Sequence, residues 1–212
     1  MSDALKRPME FGIRGLPIYK NNVNATLKKY QTDTFGEIEY KFNNMGWRGT
    51  DDFPNDPSKH GDHYEKFDLV VGCSLIEGIG VKEEDLCVTK LQEWNEIPTY
   101  NLGMNGTGAD YLLWILNICV KLHNLNNVYV LSCYEGREMR FYDDHVEIIQ
   151  SHLPFNDSYK TDYVRRMCAF NDWNFLRITN KMVSSYPTGY DRLHPNEDFQ
   201  NMIFEEFKNE KD

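Results

Sequence analysis

Residues 67–80 read FDLVVGCSLIEGIG. Phe67 to Val71 form a short, largely apolar run of strand length. It breaks on Gly72-Cys73-Ser74 and passes into further glycines. Such a run, bounded by turn residues, predicts a strand buried on both faces of a parallel sheet. A buried strand that ends on a small residue, a thiol and a hydroxyl has two readings. Either Ser74 caps a turn, or the strand presents its hydroxyl to a reacting group.

The regular pattern continues downstream. Lys82 to Trp94 (KEEDLCVTKLQEW) place Leu86, Leu91 and Trp94 at helical spacing behind a run of acids that suits a helix N-terminus. Ile97 to Gly103 predict a second strand. Residues 108–123 predict a helix apolar almost all round, with Asp110, Asn117 and Lys121 on one narrow stripe. Asn126 to Cys133 predict a third strand. This β-α-β-α-β alternation argues for a parallel sheet with helices on both faces. Residues 158–187 read as mostly helical with a break near Asn171-Asp172, and no further strand is placed there. The final helix has Pro195 at its first position and an inward stripe of Phe199, Met202, Ile203 and Phe207. Residues 1–66 read as an irregular segment with short strands, packed on a single α/β domain over 67–212. Its anchors are Phe35, Ile38, Tyr40, Phe42 and Trp47.

The totals narrow the function classes. A length of 212 residues suits one domain, and the net charge of -10 disfavours nucleic acid and anionic membrane surfaces. No stretch approaches the ~20 apolar residues of a membrane span. The N-terminus lacks the apolar core of a secretory signal, so the expected location is cytoplasmic. The five cysteines (Cys73, Cys87, Cys119, Cys133 and Cys168) read as reduced core thiols, and no C-x-x-C pair points to zinc. His60 and His63 have metal-ligand spacing in a polar loop, where a solvated loop is the better reading. No metal or cofactor is expected.

In an open parallel sheet, ligands bind beyond the carboxyl ends of the strands. Gly72 to Leu75, Asn101 to Gly108 (NLGMNGTG) and Cys133 to Glu138 (CYEGRE) follow the three strands there, and Asp191 to Asn196 (DRLHPN) precede the last helix. These parts fit a nucleophile, a base and an orienting acid. A serine hydroxyl needs an imidazole to take its proton, and the imidazole needs a carboxylate to fix its tautomer. Asp191 and His194 are three apart, so one short turn can hold both beside Ser74. The glycines after the second strand leave main-chain N–H groups free to face an oxyanion.

Gly72-Cys73-Ser74-Leu75, the NLGMNGTG loop and Asp191-x-x-His194-Pro195 resemble, in order, the first, second and last blocks of the SGNH/GDSL hydrolases. Asn43 to Gly49 (NNMGWRG) resembles the stretch that precedes the first block in many members. The resemblance spans roughly residues 40–207. It implies a three-layer α/β/α, flavodoxin-like fold and metal-free hydrolysis of esters or thioesters, often acyl groups on carbohydrates or lipids. It makes Ser74 the nucleophile, His194 the general base and Asp191 its partner, with the N–H groups of Ser74 and Gly106 in the oxyanion hole.

Two departures stand out. Cys73 replaces the usual acid before the serine. In the third block, Glu135 lies near the position where an Asn side chain is expected to reach the oxyanion. Loss of one such donor costs about 10²–10³ in rate. Asn105 or Arg137 is the candidate to replace it, and Glu135, Arg137 and Arg48 are candidate substrate contacts. The bland readings are an ion-pair cluster for Glu135, Arg137, Glu138 and Arg140, and a loop anchor for Arg48. The alternative function is a non-catalytic SGNH-like binding or structural module of a virus or phage particle.

Overall fold

A computed structural model of the chain describes residues 5–8, 10–11, 16–30, 37–53, 66–122, 124–132, 137–142, 145–150, 158–189 and 194–209. The elements run β1 (Leu5–Pro8), β2 (Glu10–Phe11), β3 (Pro17–Ile18), β4 (Thr26–Tyr30), β5 (Glu37–Lys41), β6 (Phe67–Gly72), α1 (Ser74–Glu77), α2 (Cys87–Asn95), β7 (Thr99–Gly103), α3 (Ala109–Cys119), β8 (Leu125–Leu131), β9 (Arg137–Phe141), β10 (His145–Gln150), α4 (Ser158–Phe170), β11 (Asn174–Leu176), α5 (Asn180–Ser184) and α6 (Glu197–Asn209).

Four parallel strands form the central sheet in the order β7-β6-β8-β11. The first strand lies between the second and third, which is the flavodoxin-like order. The chain therefore moves one way from β6 to β7 and back the other way to β8 and β11. Right-handed crossovers then send α2 to one face and α3 to the other. α2 packs with α6, and α3 with α4, giving a three-layer α/β/α structure. Every residue of β6 and β7 is buried, as strands covered on both faces require. The winding reverses between β6 and β8, so their carboxyl ends flank a crevice where folds of this kind bind ligands.

The N-terminal residues build onto this frame. Leu16, Tyr19, Met45, Trp47 and Phe53 belong to the main core. Trp47 Nε1 donates to the Pro17 carbonyl (2.9 Å), and the Phe53 ring meets those of Phe67 and Tyr100 edge-on at 5.3 and 5.0 Å. Ile38, Tyr40 and Phe42 form a smaller cluster by the β4–β5 hairpin. Phe35 lies outside the described residues. β1 joins the β9–β10 hairpin in a separate antiparallel sheet.

Apart from the β9–β10 hairpin, which the sequence reading does not place, the structure departs from that reading in three places. The break at Asn171-Asp172 occurs, with Asp172 left-handed (φ 58°), but a fourth parallel strand, β11, follows it. β11 is only three residues long and opens on Asn174, whose Oδ1 accepts from Asn127 Nδ2 (2.6 Å), so it carries no apolar run. Acids Glu83 to Asp85 form a separate 3₁₀ turn, and α2 starts only at Cys87. Pro195 pairs with Thr188 in an isolated β-bridge, which postpones α6 to Glu197. Asn196 sits at its cap and accepts from the Asp198 N–H (3.2 Å).

Four cysteines among the described residues are free and buried. Burial pushes the Cys87 thiol up to about 12, and Cys119 moves in the same direction. From the ordinary thiol range (~8.5) to about 12, the unfolded chain loses the Cys87 proton while the folded chain keeps it. Stability conferred by that proton is complete below the window and falls as pH rises through it. Urea midpoints are expected to drop between pH 8 and pH 10.5, and Cys87→Ala is expected to show a shallower drop.

Candidate active site

Cys73 leaves β6 in an extended conformation (φ −96°, ψ −154°), and the chain then turns at once into α1. Ser74 is the first residue of that single helical turn, at the carboxyl end of β6 and so at the switch point of the sheet. It is 3% exposed. Gly78 closes the turn in the left-handed region (φ 72°) and returns its N–H to the Ser74 carbonyl (3.0 Å).

So short a helix cannot hold itself in place. Side chains from distant parts of the chain bind its main chain instead. Asn101 Nδ2 donates to the Ile76 carbonyl (2.8 Å), and Gln200 Nε2 to that of Leu75 (2.7 Å). The Arg48 guanidinium reaches the carbonyls of Glu77 (2.9 Å), Gly78 and Val81 (2.5 Å), and its Cζ lies 4.4 Å from the centre of the Tyr40 ring. Arg48 is 3% exposed, and this desolvation lowers its pKa against the opposing fields of Tyr40, Glu83 and Glu77. The NNMGWRG stretch delivers it. Asn43 Oδ1 accepts from the N–H groups of Met45 (2.9 Å) and Trp47 (3.1 Å), and Phe42 bridges Arg48. Arg48 thus binds the end of α1, by way of main-chain carbonyls.

The glycine loop after β7 stands beside α1. A Cβ on Gly103 would collide with the Glu77 main-chain nitrogen, so only glycine lets helix and strand approach this closely. Met104 donates to the Gly72 carbonyl (3.1 Å), and Thr107 Oγ1 to that of Met104 (2.8 Å). Glu77 Oε2 accepts the Asn105 N–H (2.6 Å). Gly106 is left-handed (φ 87°). Among the described residues, the N–H groups of Ser74 and Gly106 and the Asn105 side-chain amide carry no hydrogen bond.

His194 arrives from the other end of the chain and is half-buried. Its carbonyl accepts from the Gly189 N–H (2.7 Å). Gly189 in turn abuts the turn after α1, where a Cβ would stand 2.6 Å from the Gly80 carbonyl oxygen. Six residues beyond His194, Gln200 bonds the Leu75 carbonyl and the Cys87 N–H (3.0 Å). The stretch carrying His194 is therefore tied to the α1 region on both sides. The Ser74 hydroxyl itself bonds no described residue. Asp191 and Glu135 lie outside the described residues, as do His60 and His63.

No known family adds to this geometry. No family model matches the chain, and no curated protein does. Among solved structures it is similar to a protein from Lactobacillus plantarum, determined as a structural-genomics target. Identity is 12% and the TM-score 0.44, over 68% of this chain and 95% of that one. Likeness at that level fixes neither fold nor activity here.

Arg137 opens β9 and lies against the glycine loop, its Nη1 donating to the Thr107 carbonyl (3.4 Å). Glu77 is the neighbour that sequence reasoning passed over. Its position three residues after Ser74, one helical turn on, is the signal that points to it. No group of three or more metal-ligating side chains occurs among the described residues. None of their helices is long and apolar enough to cross a membrane.

Arg48→Lys replaces a planar fork by a single ammonium that cannot reach three carbonyls together. It is expected to lower stability by about 2 kcal/mol, read from denaturant unfolding.

Proposed function

We propose that the chain is a serine hydrolase that cleaves an acyl ester of a carbohydrate or lipid through Ser74, His194 and Asp191. One observation carries this reading. Ser74 opens α1 at the switch point of the sheet, and the stretch bearing His194 is anchored at Gly80 and Leu75 on either side of that turn.

In this reading Ser74 Oγ attacks the acyl carbonyl carbon and its proton passes to the His194 imidazole, which Asp191 orients. The carbonyl oxygen becomes an oxyanion facing the N–H groups of Ser74 and Gly106. The Asn105 amide supplies the third donor, and Arg137 adds positive charge behind the loop. Collapse breaks the bond to the alcohol, which takes the proton back from His194. Water then attacks the acyl-enzyme, gives His194 its proton and frees Ser74. Catalytic hydrogen bonds are often loose before substrate binds, so a Ser74 hydroxyl bonded to no described residue is compatible with this sequence.

A second reading, a non-catalytic SGNH-like module, draws on the same residue, which is buried and whose hydroxyl is bonded to no described residue. Steady-state hydrolysis of 4-nitrophenyl acetate separates the two. Ser74→Ala, His194→Gln and Asp191→Asn are each expected to lower kcat by about 10⁴. Wild-type protein no faster than Ser74→Ala supports the module instead.

A further inference from the structure

α4 packs on α3 and β11, with Thr161, Val164 and Cys168 turned inward. Its opposite face is apolar as well. Seven large hydrophobic side chains stand exposed among the described residues, and three of them, Tyr159, Tyr163 and Phe170, lie on this one helix. Phe170 is 90% exposed. Single exposed hydrophobic residues are ordinary, but a row of them marks a contact surface. At ~100° per residue, Tyr159, Tyr163, Arg166 and Phe170 fall within about 60° of arc. Their spacing of four, three and four residues is that of a coiled-coil seam. Arg166 is exposed and carries no ion pair among the described residues. Asp162 borders the seam, its Oδ1 3.5 Å from Arg165 Nε on the flank.

We propose that this seam is the contact between two copies of the chain, which pair through α4 about a twofold axis with the two helices antiparallel. The spacing reads the same from either end, so an antiparallel copy meets it in register. Tyr159 then faces Phe170 of the second copy, and Tyr163 faces its Arg166. Ring packs on ring, and the guanidinium covers a tyrosine face. Charge points the same way. Asp162 stands in the amino-terminal half of α4 and Arg166 in the carboxyl half, so the antiparallel arrangement sets each Asp162 against the other copy's Arg166. Parallel helices would set like against like at both positions, which repels. A twofold contact also closes on itself and leaves no seam free to propagate. A membrane is the poorer occupant, since a helix that lies on lipid is rich in Lys and Arg along its polar face and this chain has a net charge of -10. The contact is small. α4 is about 20 Å long, so its face falls short of the ~800 Å² that each partner gives to a standard interface. The dimer is therefore expected to exchange with monomer at micromolar concentrations.

Sedimentation velocity of the full chain from about 5 to 500 µM tests this, a range that spans contacts of this size. The expected result is a mass that rises from one chain toward two. Phe170→Glu is expected to weaken association by about tenfold or more. Asp162→Arg and Arg166→Asp each place like charges across the axis, and each alone is expected to stay monomeric. An equimolar mixture of the two is expected to associate again, because every acid then meets a base on the other chain. Within either variant helix, positions 162 and 166 remain like-charged, so recovery on mixing reports the contact and not repair of the helix. All three positions are exposed, and an unchanged thermal midpoint checks that the variants fold. Wild-type protein that stays monomeric across the range overturns the proposal, whether or not it binds phosphatidylcholine vesicles. So does a dimer that persists undiminished in Phe170→Glu, or a mixture of the two charge variants that stays monomeric.

Discussion

The organisation of this molecule depends on how closely the main chain of α1 approaches the carboxyl ends of β6 and β7. A helix of four residues has almost no stability of its own, yet Ser74 stands at its first position. Glycine at 72 and 103 allows the contact, since a side chain at either position would strike α1. Asn101, Gln200 and Arg48 then take up the main-chain carbonyls that a longer helix would bond internally. The same contact sets the glycine loop beside Ser74, through the bond from the Asn105 N–H to Glu77. Position and donor geometry at the crevice are therefore one packing problem with one solution.

The N-terminal segment belongs to that solution. It contributes Trp47 and Phe53 to the core, Arg48 to the end of α1, and a turn, Lys20–Asn22, that lines a cavity with Glu77. The bond from the Gly80 N–H to Tyr40 Oη (2.8 Å) ties the same turn to the β4–β5 hairpin. A segment that reads as irregular is in this way built into the core and against the candidate site.

Much of the frame is legible in the amino-acid order, because buried parallel strands announce themselves as apolar runs. β6, β7 and β8 do so, and the reversal of winding follows from the alternation with helices. β11 does not, since three residues with a polar first member leave no periodicity to detect. The β9–β10 hairpin is hidden because Arg137, Arg140 and Glu147 interrupt its few apolar positions, of which Met139 and Ile148 reach the main core. At the site, Ser74 and the glycine loop are visible as breaks in apolar runs. The bond of Glu77 is invisible in one dimension because its partner is a main-chain N–H 28 residues away, that of Asn105. The place of Arg48 is equally hidden, because carbonyl acceptors leave no mark on composition.

The most direct measurement is the location of a covalent adduct after treatment of the native protein with a fluorophosphonate. Tryptic cleavage after Lys66 and Lys82 releases the peptide Phe67–Lys82, in which Ser74 is the one hydroxyl-bearing residue. The expected result is a single phosphonyl group on that peptide, absent after urea unfolding and absent from Ser74→Ala. A label on any other peptide, or none on the native protein, would contradict the assignment of Ser74 as a nucleophile held ready by α1.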